Sequence, residues 1–307
     1  MTTPPFDRRA IPQGLAFTTV VMADEWPVRA FRWPQPDGRR PCGQLLFLTG
    51  RADFAEKYLE TLAHWHARGW EVAGFDWRGQ GGSRQAERGV PDLDAMLADL
   101  RAFAADWRGR QAGPSVAIGH SMGGHLLLRW LAEGASGLDA AVLLAPMLGL
   151  NSRPLPPVIA RGVAAVARRI GLGNRPLVGA GAAAIGRQAR LTGDADRYAD
   201  EQAWIARMLK YTVEPPRWNW IADAYGGIAQ LARPGILETI TVPVLLVGTV
   251  QDRLVDPEAI RRAAARLPHA ELELRTDGAH ELLREGDPVR NAVLARIDGF
   301  LDRFVTA

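Results

Sequence analysis

One stretch, SVAIGHSMGG at residues 115–124, constrains the fold of this 307-residue chain more than any other. Within it, residues 119–123 read Gly-His-Ser-Met-Gly and fit the pattern G-x-S-x-G, in which a serine occupies a sharp turn between a strand and a helix. Residues 116–118 predict a buried strand before the turn, and residues 125–131 predict a helix after it. The alternative is an ordinary glycine-rich turn. The context favours a nucleophilic serine, Ser121, with its hydroxyl projecting from the end of a strand.

Strand and helix patterns alternate on both sides of this stretch. Strands are predicted at residues 16–22, 28–33, 44–49, 70–76, 116–120, 139–145, 242–247 and 271–275. Strands that alternate with helices of this kind predict βαβ units and a mostly parallel central sheet flanked by helices, which is an α/β fold. The alternation stops between two core strands. We therefore predict a core formed by residues 1–150 and 238–307, with residues 151–237 as an inserted helical cap, or lid.

A serine nucleophile needs a general base and a carboxylate that orients the base. In folds built around this turn, the acid and then the histidine follow the serine along the chain. His280 fits the base because it follows the last predicted strand, and Asp252 fits the acid because it follows the strand VPVLLVG. Asp256 is the alternative acid. Asp76 precedes the serine, and we interpret it as part of a tight turn in the glycine-rich loop.

The serine also needs donors that stabilise a developing oxyanion. The backbone N–H of Met122, directly after the serine at the start of the next helix, is the first candidate. The second donor is expected from the loop after the strand QLLFLT, where Thr49, Gly50 and Arg51 follow one another. We predict an oxyanion hole formed by the backbone N–H groups of Arg51 and Met122.

Composition excludes several classes of protein. The net charge is +3, and the basic residues are nearly all arginines without a basic stripe or a known binding module, so no nucleic-acid partner is expected. A single cysteine, Cys42, excludes an internal disulfide and agrees with a reducing compartment. No apolar run reaches the length of a membrane-spanning helix. We predict a cytoplasmic protein that uses no metal and no organic cofactor.

The predicted cap has an unusual distribution of charge. Residues 151–190 contain seven arginines and no acidic residue. A helix over residues 157–170 would place Ile159, Val163, Val166 and Ile170 on one face, and Arg161 and Arg168 on the other. This apolar face either packs against the core or faces a lipid surface or an acyl chain. The second interpretation allows peripheral contact with the inner membrane surface.

Four segments together resemble the α/β-hydrolase superfamily: DWRGQGGS at residues 76–83, GHSMGG at 119–124, the strand before Asp252, and GAHELL at 278–283. Over about residues 14–305 the chain is similar to the lysophospholipase and monoacylglycerol lipase group, of the serine aminopeptidase S33 type. TGRADFAEKY resembles lysophospholipase L2, which has Gly-Arg where monoacylglycerol lipases have His-Gly. The acid loop departs from the usual G-x-x-D by one extra residue before Asp252.

The resemblance implies a serine hydrolase that cleaves acyl esters, chiefly lysophospholipids or monoacylglycerols, through a covalent acyl-enzyme. It also implies a small-molecule acyl ester as the substrate. A small-ester carboxylesterase or a peptidase of the same fold is the alternative enzyme. A binding protein without catalytic activity is the alternative from another class, since a fold alone does not establish a function.

Overall fold

The computed structural model describes residues 6–89, 91–108, 113–134, 136–152, 154–177, 186–211 and 214–305. Its strands are β1 (Ala16–Val21), β2 (Pro27–Trp33), β3 (Gly43–Leu48), β4 (Trp70–Phe75), β5 (Ser115–His120), β6 (Ala140–Leu144), β7 (Val244–Thr249) and β8 (Ala270–Arg275). They form one sheet in the order β1-β2-β4-β3-β5-β6-β7-β8. Strand β2 pairs antiparallel with both β1 and β4, and β3 through β8 run parallel to one another. The prediction of a mostly parallel sheet is confirmed.

Helices cover both faces of this sheet. They are α1 (Leu59–Ala67), α2 (Leu93–Trp107), α3 (Met122–Leu131), α4 (Pro157–Arg169), α5 (Arg187–Leu191), α6 (Ala195–Arg207), α7 (Trp218–Leu231), α8 (Pro257–Ala264) and α9 (Asp287–Leu301). Helices α1 and α9 pack on one face, and α2, α3 and α8 pack on the other. Every residue of β3 through β7 is therefore buried, as expected for parallel strands covered on both sides.

Parallel strands bring their carboxyl ends to the same edge of the sheet. In the pairing of β3 with β5, Leu48 lies opposite Gly119, so the loops that follow these strands leave the sheet side by side. In the same way Thr249 of β7 lies opposite Arg275 of β8. The four loops that carry the predicted site residues consequently share one edge.

Helices α4 to α7 lie in the segment between β6 and β7 that was predicted to be inserted. Residues 153, 178–185 and 212–213 of that segment lie outside the described residues. No helix among the residues that the structure describes is long and apolar enough to cross a membrane.

Helix α4 confirms the predicted helix but not the packing of its apolar face against the core. Its buried residues are Ala164 and Ala167, and it packs against α7. The apolar face is exposed to solvent, at 53% for Ile159, 42% for Val163, 58% for Val166 and 63% for Ile170. The interpretation in which this face packs against the core is therefore wrong, because α4 packs against α7 through the small buried alanines beside that face.

Candidate active site

Ser121 occupies the turn between β5 and α3. Its backbone has φ 53° and ψ −114°, a strained conformation that a non-glycine residue adopts only where the surroundings impose it. Its N–H donates to the carbonyl oxygen of Leu144 at 2.9 Å, and its carbonyl oxygen accepts from the N–H of Met147 at 3.0 Å. A Cβ at Gly119 would lie 2.8 Å from the oxygen of Gly123, and one at Gly123 would lie 2.4 Å from the oxygen of Thr49. The glycines of the motif thus make the turn sterically possible.

His280 connects Ser121 with Asp252. Its Nε2 lies 2.9 Å from the hydroxyl oxygen of Ser121, and its Nδ1 lies 2.6 Å from Oδ2 of Asp252. The second oxygen of that carboxylate accepts hydrogen bonds from the backbone N–H groups of Leu254 and Val255 at 2.7 and 2.9 Å. The imidazole and the carboxylate are buried, and the serine is partly exposed. The hydroxyl therefore has a hydrogen-bonded base, which in turn has a fixed carboxylate.

The two other carboxylates considered from the sequence lie elsewhere. Asp256 is the N-cap of α8, where it accepts from the N–H of Glu258 at 3.0 Å and pairs with Arg262 at 3.1 Å. Asp76 accepts from the N–H groups of Ala55 and Gly82 at 2.9 and 2.7 Å, so it holds turns together, as interpreted. The extra residue before Asp252 leaves the carboxylate within reach of the imidazole.

The charges of the imidazole and the carboxylate shift each other's pKa. Burial acts to lower the pKa of His280, but the charge of Asp252 and its hydrogen bond outweigh burial, so the pKa lies above its ordinary value. Burial acts to raise the pKa of Asp252, and His280 with the two backbone donors holds it below its ordinary value. An ionised carboxylate at Nδ1 keeps the proton on that nitrogen and leaves Nε2 free to accept the proton of the serine hydroxyl.

The predicted oxyanion donors lie beside the serine. Met122 is the first residue of α3, where backbone N–H groups have no partner within the helix. The loop after β3 also lies against the serine, since a Cβ at Gly50 would lie 3.2 Å from Cβ of Ser121. In that loop the N–H of Gly50 donates to Asp53 and that of Ala52 donates to Gln80, whereas the N–H of Arg51 has no acceptor within the described residues.

A buried network of charges, which includes Glu281 next to His280, was not predicted from the sequence. Lys57 Nζ lies 2.5 Å from an oxygen of Asp53, 2.5 Å from Glu281 and 3.3 Å from Glu201 on α6. Arg284 pairs with both glutamates. Burial acts to lower the pKa of Lys57, but the three carboxylates hold it above its ordinary value.

This network joins three parts of the molecule: the loop after β3, the loop that carries His280, and helix α6. His120 continues it, with Nδ1 3.2 Å from the hydroxyl of Tyr58 and Nε2 3.3 Å from the carbonyl oxygen of His280. The only indication of this network in the sequence is that charged residues lie next to the motifs. In the part of the chain that the structure describes, no group of three His, Cys, Asp or Glu side chains is arranged to hold a metal ion.

Comparisons with known proteins identify the family of the chain. The family model described as "Serine aminopeptidase, S33" matches residues 39–287. A probable lysophospholipase L2 of Haemophilus influenzae is 24% identical over 273 residues, which cover 84% of this chain and 83% of the relative. A monoacylglycerol lipase of Mycolicibacterium smegmatis is 25% identical over 264 residues, which cover 85% and 88%.

Solved structures show the same fold. A soluble variant of monoglyceride lipase from Saccharomyces cerevisiae, in complex with a substrate analogue, superposes with a TM-score of 0.81 at 20% identity and covers 100% of both chains. A carboxyl esterase from Bacillus coagulans gives a TM-score of 0.74 at 17% identity, covering 96% of this chain and 100% of the esterase. The chain thus belongs to the serine aminopeptidase S33 family, and it is an α/β-hydrolase enzyme of the lipase and esterase type.

Proposed function

We propose that this protein hydrolyses acyl esters with Ser121 as the nucleophile. The observation that carries the proposal is the continuous hydrogen-bonded chain from the serine hydroxyl through His280 to Asp252, at 2.9 and 2.6 Å. His280 takes the hydroxyl proton as Ser121 attacks the ester carbonyl, and it then gives that proton to the leaving alcohol. Asp252 stabilises the imidazolium that forms. Water, activated by the same imidazole, releases the acid from the acyl-enzyme and restores the serine.

The tetrahedral intermediate carries a negative charge on the former carbonyl oxygen. The backbone N–H groups of Arg51 and Met122 donate to it. A donor that is already fixed in the free enzyme needs no reorganisation during the reaction, which is why such donors lower the barrier. The N–H of Arg51, without an acceptor among the described residues and between two N–H groups that are already paired, supports this role.

The substrates are small-molecule acyl esters of the lysophospholipid or monoacylglycerol kind, as the names of the curated relatives suggest. Residues 151–237 form a cap over the core of residues 1–150 and 238–307. The exposed apolar face of α4, defined by Ile159, Val163, Val166 and Ile170, contacts the membrane that supplies such lipids. The protein works in the cytoplasm, at the inner membrane surface, in agreement with its single cysteine.

A substrate panel tests the proposed activity. We expect the wild-type protein to hydrolyse p-nitrophenyl butyrate, monolauroylglycerol and a lauroyl lysophospholipid, and a fluorophosphonate to label it in proportion to lost activity. Release of amino acids from aminoacyl amides without ester cleavage would assign the peptidase activity of the fold instead. A folded protein that the fluorophosphonate does not label and that cleaves neither class would be a binding protein.

Vesicle binding tests the contact with membranes. In sedimentation with phosphatidylcholine vesicles, the wild-type protein should pellet, and replacing Ile159 and Val163 together by Asp should release it. The matched control replaces Gln202 and Ala206 by Asp, because both are exposed on α6 and lie four residues apart as the first pair does. It adds the same charge without removing a large apolar side chain, and should leave sedimentation unchanged. Equal sedimentation of the wild type and the Ile159 and Val163 variant would contradict the role of the apolar face.

A further inference from the structure

A cleft of about 400 Å³ opens between the cap segment and the loops of the core. Its walls include Arg51 and Gln80 from the core, and Tyr211, Glu214, Arg217 and Trp220 from the segment between β6 and β7. The cleft begins at Arg51, whose neighbour Gly50 lies against Ser121. A group bound at Arg51 would therefore lie against the same loop that flanks Ser121.

The guanidinium of Arg51 contacts a backbone oxygen and an aromatic ring. Its Nη2 donates to the backbone oxygen of Glu214 at 2.6 Å, and the guanidinium lies 5.1 Å from the centre of the Trp220 ring. Within the described residues it forms no ion pair. Burial lowers its pKa to about 10, so the side chain is still charged at neutral pH. A partly desolvated charge of this kind is stabilised by an anion that can accept hydrogen bonds from it.

Arg217 provides a second cation in the same cleft. One of its nitrogens donates to the backbone oxygen of Asn174 at 2.5 Å, and another lies 3.2 Å from Oε2 of Glu214. The same carboxylate also pairs with Arg84 through its other oxygen. Glu214 therefore pairs through its side chain with two guanidinium groups, while Arg51 contacts only its backbone oxygen.

We propose that this cleft binds the phosphate of the leaving group, and that the preferred substrates are acyl esters of phosphate-bearing alcohols rather than of neutral glycerol. The inference rests on the proposed ester hydrolysis and names its substrate class as lysophospholipids. Guanidinium groups suit this role because their paired N–H donors match the geometry of phosphate oxygens. The lining of the cleft is mixed, because Met96 and Trp220 lie beside the arginines, and its cationic part suits the head group rather than the acyl chain, which requires an apolar surface.

The test compares two substrates with the same acyl chain, lauroyl lysophosphatidylglycerol and monolauroylglycerol. The readout is kcat/KM for lauroyl lysophosphatidylglycerol divided by kcat/KM for monolauroylglycerol. This ratio cancels any general effect on the chemistry. In Arg217→Gln and in Arg51→Met the ratio should fall about tenfold or more, because each change removes a hydrogen bond from a charged donor to phosphate. Arg217→Lys keeps the charge but loses the paired donors, so its ratio should lie between those of the wild type and Arg217→Gln. Arg261→Gln on the exposed surface of α8 should leave the ratio unchanged.

Ligand binding separates this proposal from the proposed function and from a site for free phosphate. By calorimetry, glycerophosphate should bind to the wild type at least about tenfold more tightly than to Arg217→Gln, and more tightly than inorganic phosphate. This measurement works even if no ester is cleaved, an outcome that would refute only the proposed function. Equal ratios in the wild type and both arginine variants, equal binding of glycerophosphate with and without Arg217, or tighter binding of inorganic phosphate would overturn the inference.

Discussion

Replacing Asp252 by Asn tests the proposed role of the carboxylate without changing its shape. Oδ1 of Asp252 accepts from two backbone N–H groups, so the side-chain oxygen of the asparagine keeps that position. Its NH₂ group then occupies the place of Oδ2, which lies 2.6 Å from Nδ1 of His280. A donor facing Nδ1 forces the proton of the imidazole to Nε2. The imidazole then donates to Ser121 and no longer accepts its proton.

The expected loss in kcat is about 10³- to 10⁴-fold, the size seen when a serine enzyme has its imidazole in the wrong tautomer. This corresponds to about 4–5.5 kcal/mol of transition-state stabilisation. The assay is steady-state hydrolysis of p-nitrophenyl butyrate, with thermal unfolding as the check of the fold. Asp256→Asn is the matched control, because asparagine caps a helix as well as aspartate does, and its kcat should change little. A loss below about tenfold in Asp252→Asn, or a larger loss in the control, would refute the assignment.

Three further predictions address the base, the buried network and the turn. The pKa of His280 lies above its ordinary value, and the imidazole must be neutral to act as a base. The value of kcat/KM should therefore rise with pH, and the midpoint of this rise should lie above pH 6.5. A midpoint below pH 6.5 would contradict this. Lys57→Met leaves buried carboxylates uncompensated and should lower the free energy of unfolding in urea by about 3–5 kcal/mol, whereas Lys210→Met at an exposed lysine should leave it nearly unchanged. Gly123→Ala should lower the melting temperature, because the added Cβ would lie 2.4 Å from a backbone oxygen. Gly226→Ala, where the added Cβ points into open space on α7, should raise the melting temperature slightly. The reverse order would show that the turn tolerates a side chain.

Local pattern was sufficient to predict the sheet and the edge that carries the site. Most predicted core strands are short apolar runs, whereas residues 271–275 alternate charged residues with leucine. Parallel strands bring their carboxyl ends together whatever the details of packing. Ser121, Asp252 and His280 follow three such strands, so their proximity in the structure follows from topology. The additional residue before Asp252 has no local signature of its effect. The structure accommodates it in a turn in which the carboxylate accepts from the backbone of residues 254 and 255.

Long-range contacts account for what the sequence could not predict. Lys57 pairs with Glu281, 224 residues further along the chain, and no periodicity indicates which distant carboxylate a buried lysine will meet. The pattern of α4 identified an apolar face correctly but not the direction in which it points. Packing is decided by Ala164 and Ala167, whose small side chains fit against α7. For a helix outside the central core, hydrophobic periodicity therefore does not determine which face is buried.

The most direct test of the central claim is the kcat/KM of Ser121→Ala for monolauroylglycerol and for p-nitrophenyl butyrate, measured on protein that melts at the wild-type temperature. Members of a catalytic triad act as a unit, so removing the hydroxyl should reduce both values by about 10⁴-fold or more. Turnover within about tenfold of the wild type in a folded Ser121→Ala protein would contradict the account, because ester cleavage would then proceed without the nucleophile from which the mechanism is built.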